Sequence, residues 1–149
     1  MNTTTWTAIE EGFSRWPASK AEAIEAAEFD QAMVSYGTID ADYREFVLRY
    51  GGGILGARPI FGLRKAELMG TIGGNWTAPQ ITHWFKSRQW LGTKDWLIFS
   101  VDHGGNPIGF ANDGTVWISD QMDFQQIVQL ANGFEDYVLK WCLKLKSVD

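Results

Sequence analysis

The residues best suited to chemistry are few and badly spaced for it. The 149-residue chain holds two histidines, His83 and His103, and one cysteine, Cys142. A zinc site needs several His, Cys or carboxylate ligands brought to one point, and these three read instead as surface and turn histidines and a lone thiol. Ser100, Asp102 and His103 are the residue types of a hydrolytic triad. Triad members are assembled in space from separate elements; on a period-two strand Ser100 and Asp102 face one way and His103 the other. Gly51-Gly52-Gly53 with Gly56 has the composition of a phosphate loop. Such a loop follows a strand and opens a helix, whereas these glycines close one. Asp102, Asn106 and Asp113 offer oxygen ligands without the spacing of a calcium loop. The expectation is a protein with no catalytic residue, no cofactor and no metal site.

Charge directs attention to binding. The net charge is −5, and residues 1–50 carry it all, with nine acids against four bases. That distribution argues against nucleic acid as a direct ligand and suits a basic protein partner, although acidic helix faces also serve solubility. Eight tryptophans supply either core or contact surface, aromatic residues being enriched at interface hot spots. Trp76, Trp84 and Trp90, in the least regular part of the sequence, are the candidates for contact. No apolar run approaches the roughly 18 residues needed to span a bilayer, and the start MNTTTWTAIEEG has neither the basic nor the apolar block of a signal peptide. A single cysteine fits a reducing compartment. The expectation is therefore one cytoplasmic domain over residues 1–149, without membrane attachment and of unspecified oligomeric state.

The elements that must position these groups are readable in part. Thr7 to Trp16 is expected to be helical, with Thr7 and Glu10 at capping-box spacing and Pro17 closing it. Ser19 to Val34, rich in Ala and Glu, predicts a second helix that displays Glu22, Glu25 and Glu28 as an acidic stripe. Asp40 caps a third, Ala41 to Tyr50, with Tyr43, Phe46, Val47 and Tyr50 on the buried face; a left-handed glycine ends it. Residues 58–64 suggest a strand. Lys65 to Thr93 is the hardest region to read, and Pro79 to Trp90 within it is either helical or irregular.

Residues 96–119, WLIFSVDHGGNPIGFANDGTVWIS, carry the clearest signal. Three apolar runs are separated by Gly104-Gly105 and Asp113-Gly114, both hairpin turns, so a three-stranded antiparallel meander is expected. Two-residue turns place Val101 opposite Ile108, and Phe110 between Phe99 and Trp117. Both faces are apolar, so helices must cover at least one. Phe124 to Leu130 forms an extended or helical link. Asn132 then caps a last helix with Glu135 as its capping-box partner, burying Phe134, Val138, Trp141 and Leu145; Lys140, Lys144 and Lys146 sit near its C-terminus, where cations suit the helix dipole. The fold class is α+β: a mostly antiparallel sheet with a central three-stranded meander, packed on N-terminal helices and a C-terminal helix.

This order of motifs resembles the SUKH superfamily, which includes the yeast Smi/Knr cell-wall regulators, Syd-like proteins and many bacterial toxin-immunity proteins. Glu25 to Gly37 resembles the family's acidic helix. Ile39-Asp40 stands at its Leu-Pro position, and Asp42-Tyr43 with Phe46-Val47 match its Asp-Tyr and Phe-Leu pairs. Tyr50-Gly51-Gly52-Gly53 stands at its Asn-Gly-Gly end, Asp102 to Pro107 at its Gly turn, Asp113-Gly114 at its hairpin, and Ala131 with Gly133-Phe134-Glu135 at its closing helix. Asp40 replaces a proline and Gly51 an asparagine, substitutions that preserve helix initiation and the left-handed position. The resemblance spans most of the chain outside Lys65 to Thr93. It implies a non-enzymatic protein-binding domain, a bacterial immunity protein that neutralises a cognate contact-dependent toxin, a nuclease in many such pairs, by direct binding. The alternative it implies is an intracellular scaffold that binds a signalling or cell-wall partner. Expected contacts are Glu22, Glu25 and Glu28, the sheet-rim residues Asp102, Asn106, Asp113 and Asp120, and Trp76 and Trp84.

Overall fold

The computed structural model describes residues 1–121 and 125–144. Helix α1 spans Thr3–Arg15 and starts earlier than Thr7, because Asn2 caps it by accepting from the Thr5 N–H at 2.9 Å. Its apolar positions Ile9 and Phe13 are buried. Helix α3, Ala41–Tyr50, forms as its pattern dictates. The Asp40 carboxylate accepts from the N–H groups of Asp42 and Tyr43, the stripe Tyr43, Phe46, Val47 and Tyr50 is buried, and Gly51 ends the helix at φ 75°. A side chain at Gly51 would be strained by that φ and would run into the Glu22 carbonyl oxygen.

The acidic helix is shorter than its composition predicts. Only Ala26–Ala32, here α2, is helical; Pro17–Ser19 is a 3₁₀ turn, and residues 20–25 run extended. The physical reason is tertiary. The last carbonyls of a helix need donors, and the extended segment supplies one by bonding Ile24 N–H to Leu48 O at 3.0 Å, with a second bond from Ala21 N–H to Gly52 O at 3.1 Å. Good helix propensity at Ala and Glu is overridden because the same residues strap the glycine end of α3.

Strands β1, Gly53–Leu55, and β2, Arg58–Ile60, form a hairpin, so the strand expected over 58–64 ends at Ile60. Residues 78–87 settle as helix α4, Ala78–Ser87, behind a Thr77–Gln80 capping box. The main sheet is antiparallel in the order β3 (Leu97–Val101), β4 (Pro107–Phe110), β5 (Val116–Asp120) and β6 (Gln126–Ala131). The three-stranded meander is present, and the segment read as a link adds a fourth strand from Gln126; Phe124 lies outside the described residues.

Register differs from the two-residue-turn expectation by one position next to each turn and by two positions at Leu97, beyond the β3 bulge. Val101 pairs with Pro107, Leu97 with Phe110, and Phe110 with Val116, with a bulge between Ile98 and Ser100. A bulge sets two residues of one strand against one of its neighbour. Phe99 and Ser100 consequently both reach Tyr137: the Phe99 ring lies 5.3 Å from its ring and Ser100 Oγ lies 2.8 Å from its hydroxyl. Phe99 stacks on Phe110 at 4.2 Å, and Tyr43 and Phe134 close around the pair at 5.3–6.5 Å. Each such ring stabilises the fold by about 1.5–3 kcal/mol through burial alone.

Helix α5, Phe134–Tyr137, continues into a π turn over Val138–Cys142. Its start is not capped by Asn132. Gly133 holds the cap position, and the Phe134 N–H donates to Asp40 Oδ2 at 3.1 Å. Glu135 turns away to accept from the Asn2 N–H. One carboxylate thus caps two helices far apart in sequence. Of the expected stripe, Phe134 and Val138 are buried and Trp141 is half-buried; Leu145 and Lys146 lie outside the described residues. Among the described residues no helix is long and apolar enough to cross a membrane.

The sheet's second face is covered by the region that resisted reading. Trp90 packs edge-on against Phe85 at 5.1 Å and donates its indole N–H to Ser119 O at 3.0 Å. The outer edge of β3 is also closed. Thr82 Oγ1 accepts from Ile98 N–H at 2.8 Å and donates to Ile98 O at 3.3 Å, while Phe61 N–H bonds Phe99 O at 2.7 Å.

Candidate protein-binding surface

The expected contact residues do not gather in one place. The turns after β3 and β5 lie at one end of the sheet and the turn after β4 at the other, as antiparallel topology requires. Asp102, Asn106 and Asp120 therefore share one rim, and Asp113 occupies the opposite rim with Asn112.

Most of these polar groups are occupied by the fold. Asp102 Oδ1 accepts from the N–H groups of Gly104 and Asn106, and both its oxygens receive the Asn106 carboxamide. Asn106 is only 2% exposed and ties the rim together by accepting from Gln121 N–H. Asp113 accepts from the Thr115 N–H and hydroxyl, which holds its carboxyl below the usual range. This is turn chemistry, in which an aspartate bonds the backbone two residues on. Asp120 is half-buried on β5.

The acids of the N-terminal third divide in the same way. Glu28, on α2, makes a two-pronged pair with Arg64 at 2.6 and 2.8 Å, and that guanidinium lowers its pKa. Asp30 is paired likewise with Arg44, Glu45 with Arg49, and Glu10 accepts from the Tyr50 hydroxyl. Glu22 and Glu25 differ. Both are exposed on the extended strap, and neither forms an ion pair among the described residues. Glu22 lies close enough to Arg64 to help raise that guanidinium's pKa.

The strap is a rigid mount. Its backbone is bonded to Leu48 and Gly52, and the Ala18 carbonyl accepts from Leu68 N–H at 3.1 Å. Trp16, 62% exposed, and Leu68, 58% exposed and bonded through its N–H to Ala18 O, lie at the N-terminal approach to the strap. Sequence reasoning missed both; the only signal was an aromatic before Pro17, at a position read as the closing residue of a helix. Of the expected tryptophans, Trp76 is 39% exposed. Trp84 is half-buried, with Arg88 seated 3.9 Å above its ring, and Trp90 is occupied by Ser119.

Three aromatic hydroxyls and the thiol have perturbed acidities for structural reasons. Burial raises the pKa of Tyr43, Tyr137 and Tyr50 and pushes Cys142 up to about 12. Tyr43 donates to Phe61 O at 2.6 Å, so it locks β2's exit to α3. Among the described residues no group of three or more His, Cys, Asp or Glu could hold a metal ion. The arrangement offers exposed carboxylates beside apolar side chains on fixed backbone, a surface for holding another macromolecule.

Helices packed on an antiparallel meander define an α+β domain. The profile of the SMI1 / KNR4 family (SUKH-1) matches residues 20–140, and the chain belongs to that family. Family membership carries an immunity or binding role at the family level, with proteins as partners. No curated protein and no solved structure matches the chain.

Proposed function

We propose that this chain is an immunity protein that binds a cognate toxin directly and neutralises it by occlusion, acting in the cytoplasm without catalysis. The observation that carries the reading is the strap: among the described residues Glu22 and Glu25 form no ion pair, and their backbone segment is held by hydrogen bonds to Leu48 and Gly52, with exposed Trp16 and Leu68 at the N-terminal approach to it. Fixed carboxylates on a chain of net charge −5 raise the encounter rate with a basic protein and set its orientation. Desolvated aromatic and aliphatic side chains then supply the slow dissociation. A basic nuclease toxin fits this pattern. The rim residues Asp102, Asn106 and Asp113 hold the sheet ends through their turn hydrogen bonds, and the partly exposed Asp120 and the exposed Trp76 are left as secondary contacts.

The test is co-expression with the toxin encoded beside the gene. The chain restores growth and co-purifies with the toxin, and the double variant Glu22→Lys/Glu25→Lys protects poorly while remaining folded. Loss of growth despite a soluble, folded chain contradicts the proposal.

A further inference from the structure

The two edges of the main sheet are treated differently. At β3 the outward backbone groups are taken by Thr82 and Phe61. At β6 the ladder to β5 runs unbroken from Gln126 to Gln129 and bulges at Leu130, and among the described residues only side chains reach the strand's other polar groups, both at the bulged end, Trp141 Nε1 at Leu130 O and Gln129 Nε2 at Ala131 O. Gln126 to Gln129 are exposed.

An open edge is a template for another strand, and proteins that stay single blunt it with lysine, proline, a bulge or a covering loop. The run Gln126-Ile127-Val128-Gln129-Leu130-Ala131 has no charge and no proline. Ile127 and Val128, each 38% exposed, stand on alternate faces of it, and Leu91, 55% exposed, lies in the loop whose Gly92 touches Ile127. Apolar surface therefore borders the edge.

We infer that β6 is a self-association edge, at which a second copy of this chain adds its own β6 in antiparallel register and joins two four-stranded sheets into one. Charge selects this occupant. Copies of a −5 chain repel each other, and a two-fold contact sets one patch against the same patch of the second copy, so any net charge on it meets like charge. An uncharged strand is the part of such a surface that can meet itself without like-charge repulsion, and glutamine carboxamides both donate and accept, so they pair with copies of themselves. The inference does not depend on the toxin-binding reading, since the strap lies on other elements.

The experiment is sedimentation equilibrium on the full chain over a wide concentration range. The expected result is a concentration-dependent species of twice the 16.8 kDa chain mass, shifted to monomer by Val128→Lys with an unchanged circular dichroism melt. A second readout uses chemistry: Cys142 is buried and 3% exposed, so Gln129→Cys creates a unique accessible thiol. A short bismaleimide then cross-links Gln129→Cys to a covalent dimer and leaves Leu68→Cys monomeric. A wild-type monomer at every concentration, a dimer indifferent to Val128→Lys, or equal cross-linking at both cysteine positions overturns the inference.

Discussion

The β3–β4 turn and the strap over residues 20–25 hold the same chemistry, carboxylates near backbone N–H groups, and use it in opposite ways. In the turn, Asp102 spends its acceptor capacity on Gly104 and Asn106. In the strap, the backbone N–H groups bond carbonyls of α3 and its glycine end, which leaves the Glu22 and Glu25 side chains in solvent. A carboxylate that organises its own loop has little left to offer a partner; one carried on a segment organised by something else keeps its full charge for recognition. The difference separates acids that hold the fold from acids that face outward.

The largest effect that would break this contrast belongs to Asp40. Asp40→Ala removes the cap of α3 and the acceptor of Phe134 N–H together, and urea titration should show a loss of about 2–4 kcal/mol. Asp102→Ala strands the Asn106 carboxamide at 2% exposure and should cost about 1–3 kcal/mol in the same assay. Asp113→Ala should lower the melting temperature by less than Asp102→Ala, because its turn is exposed. At the small end, Glu22→Gln and Glu25→Gln should change stability by no more than about 0.5 kcal/mol, as surface substitutions do, while slowing association with the toxin.

A pH series sharpens the same division from the buried side. Tyr43, Tyr50 and Tyr137 have folded pKa values raised above 10.0, and Cys142 is raised from 9.0 to about 12. Above the unfolded values the unfolded chain releases protons that the folded chain retains. The stability these groups contribute is present below pH 9 and declines as pH rises beyond 9–10. Denaturant midpoints that stay flat up to pH 11 would contradict their burial.

Local signals made much of this fold legible. Asp40, the stripe of α3, Gly51 and the two glycine turns of the meander each specify geometry within a few residues, and each stands where its pattern places it. What was not legible depends on distant partners. Ser19 to Val34 reads as one helix until Leu48 O and Gly52 O claim its backbone. Asn132 reads as a cap until Asp40 arrives from the other end of the chain. The meander register slipped because the strands close at Val101-Pro107 and Phe110-Val116, around longer turns than the two-residue steps the glycines suggest, and slipped again in β3 because a bulge at Phe99 leaves no mark in an apolar run. For the site, composition identified Glu22, Glu25 and Glu28 as an acidic group, but their availability turns on Arg64, which pairs only Glu28 strongly. Trp16 and Leu68 carry no motif, and their exposure follows from the strap's course.

The most direct test of the account is stopped-flow association of the purified chain with the toxin proposed as its partner, the one encoded beside the gene, as a function of salt, for wild type and for Glu22→Gln/Glu25→Gln. The account predicts that the variant associates several-fold more slowly at low ionic strength, that the two rates converge as salt screens the charges, and that dissociation is unchanged. Equal association rates at low salt, or no binding by the wild-type chain, would contradict it.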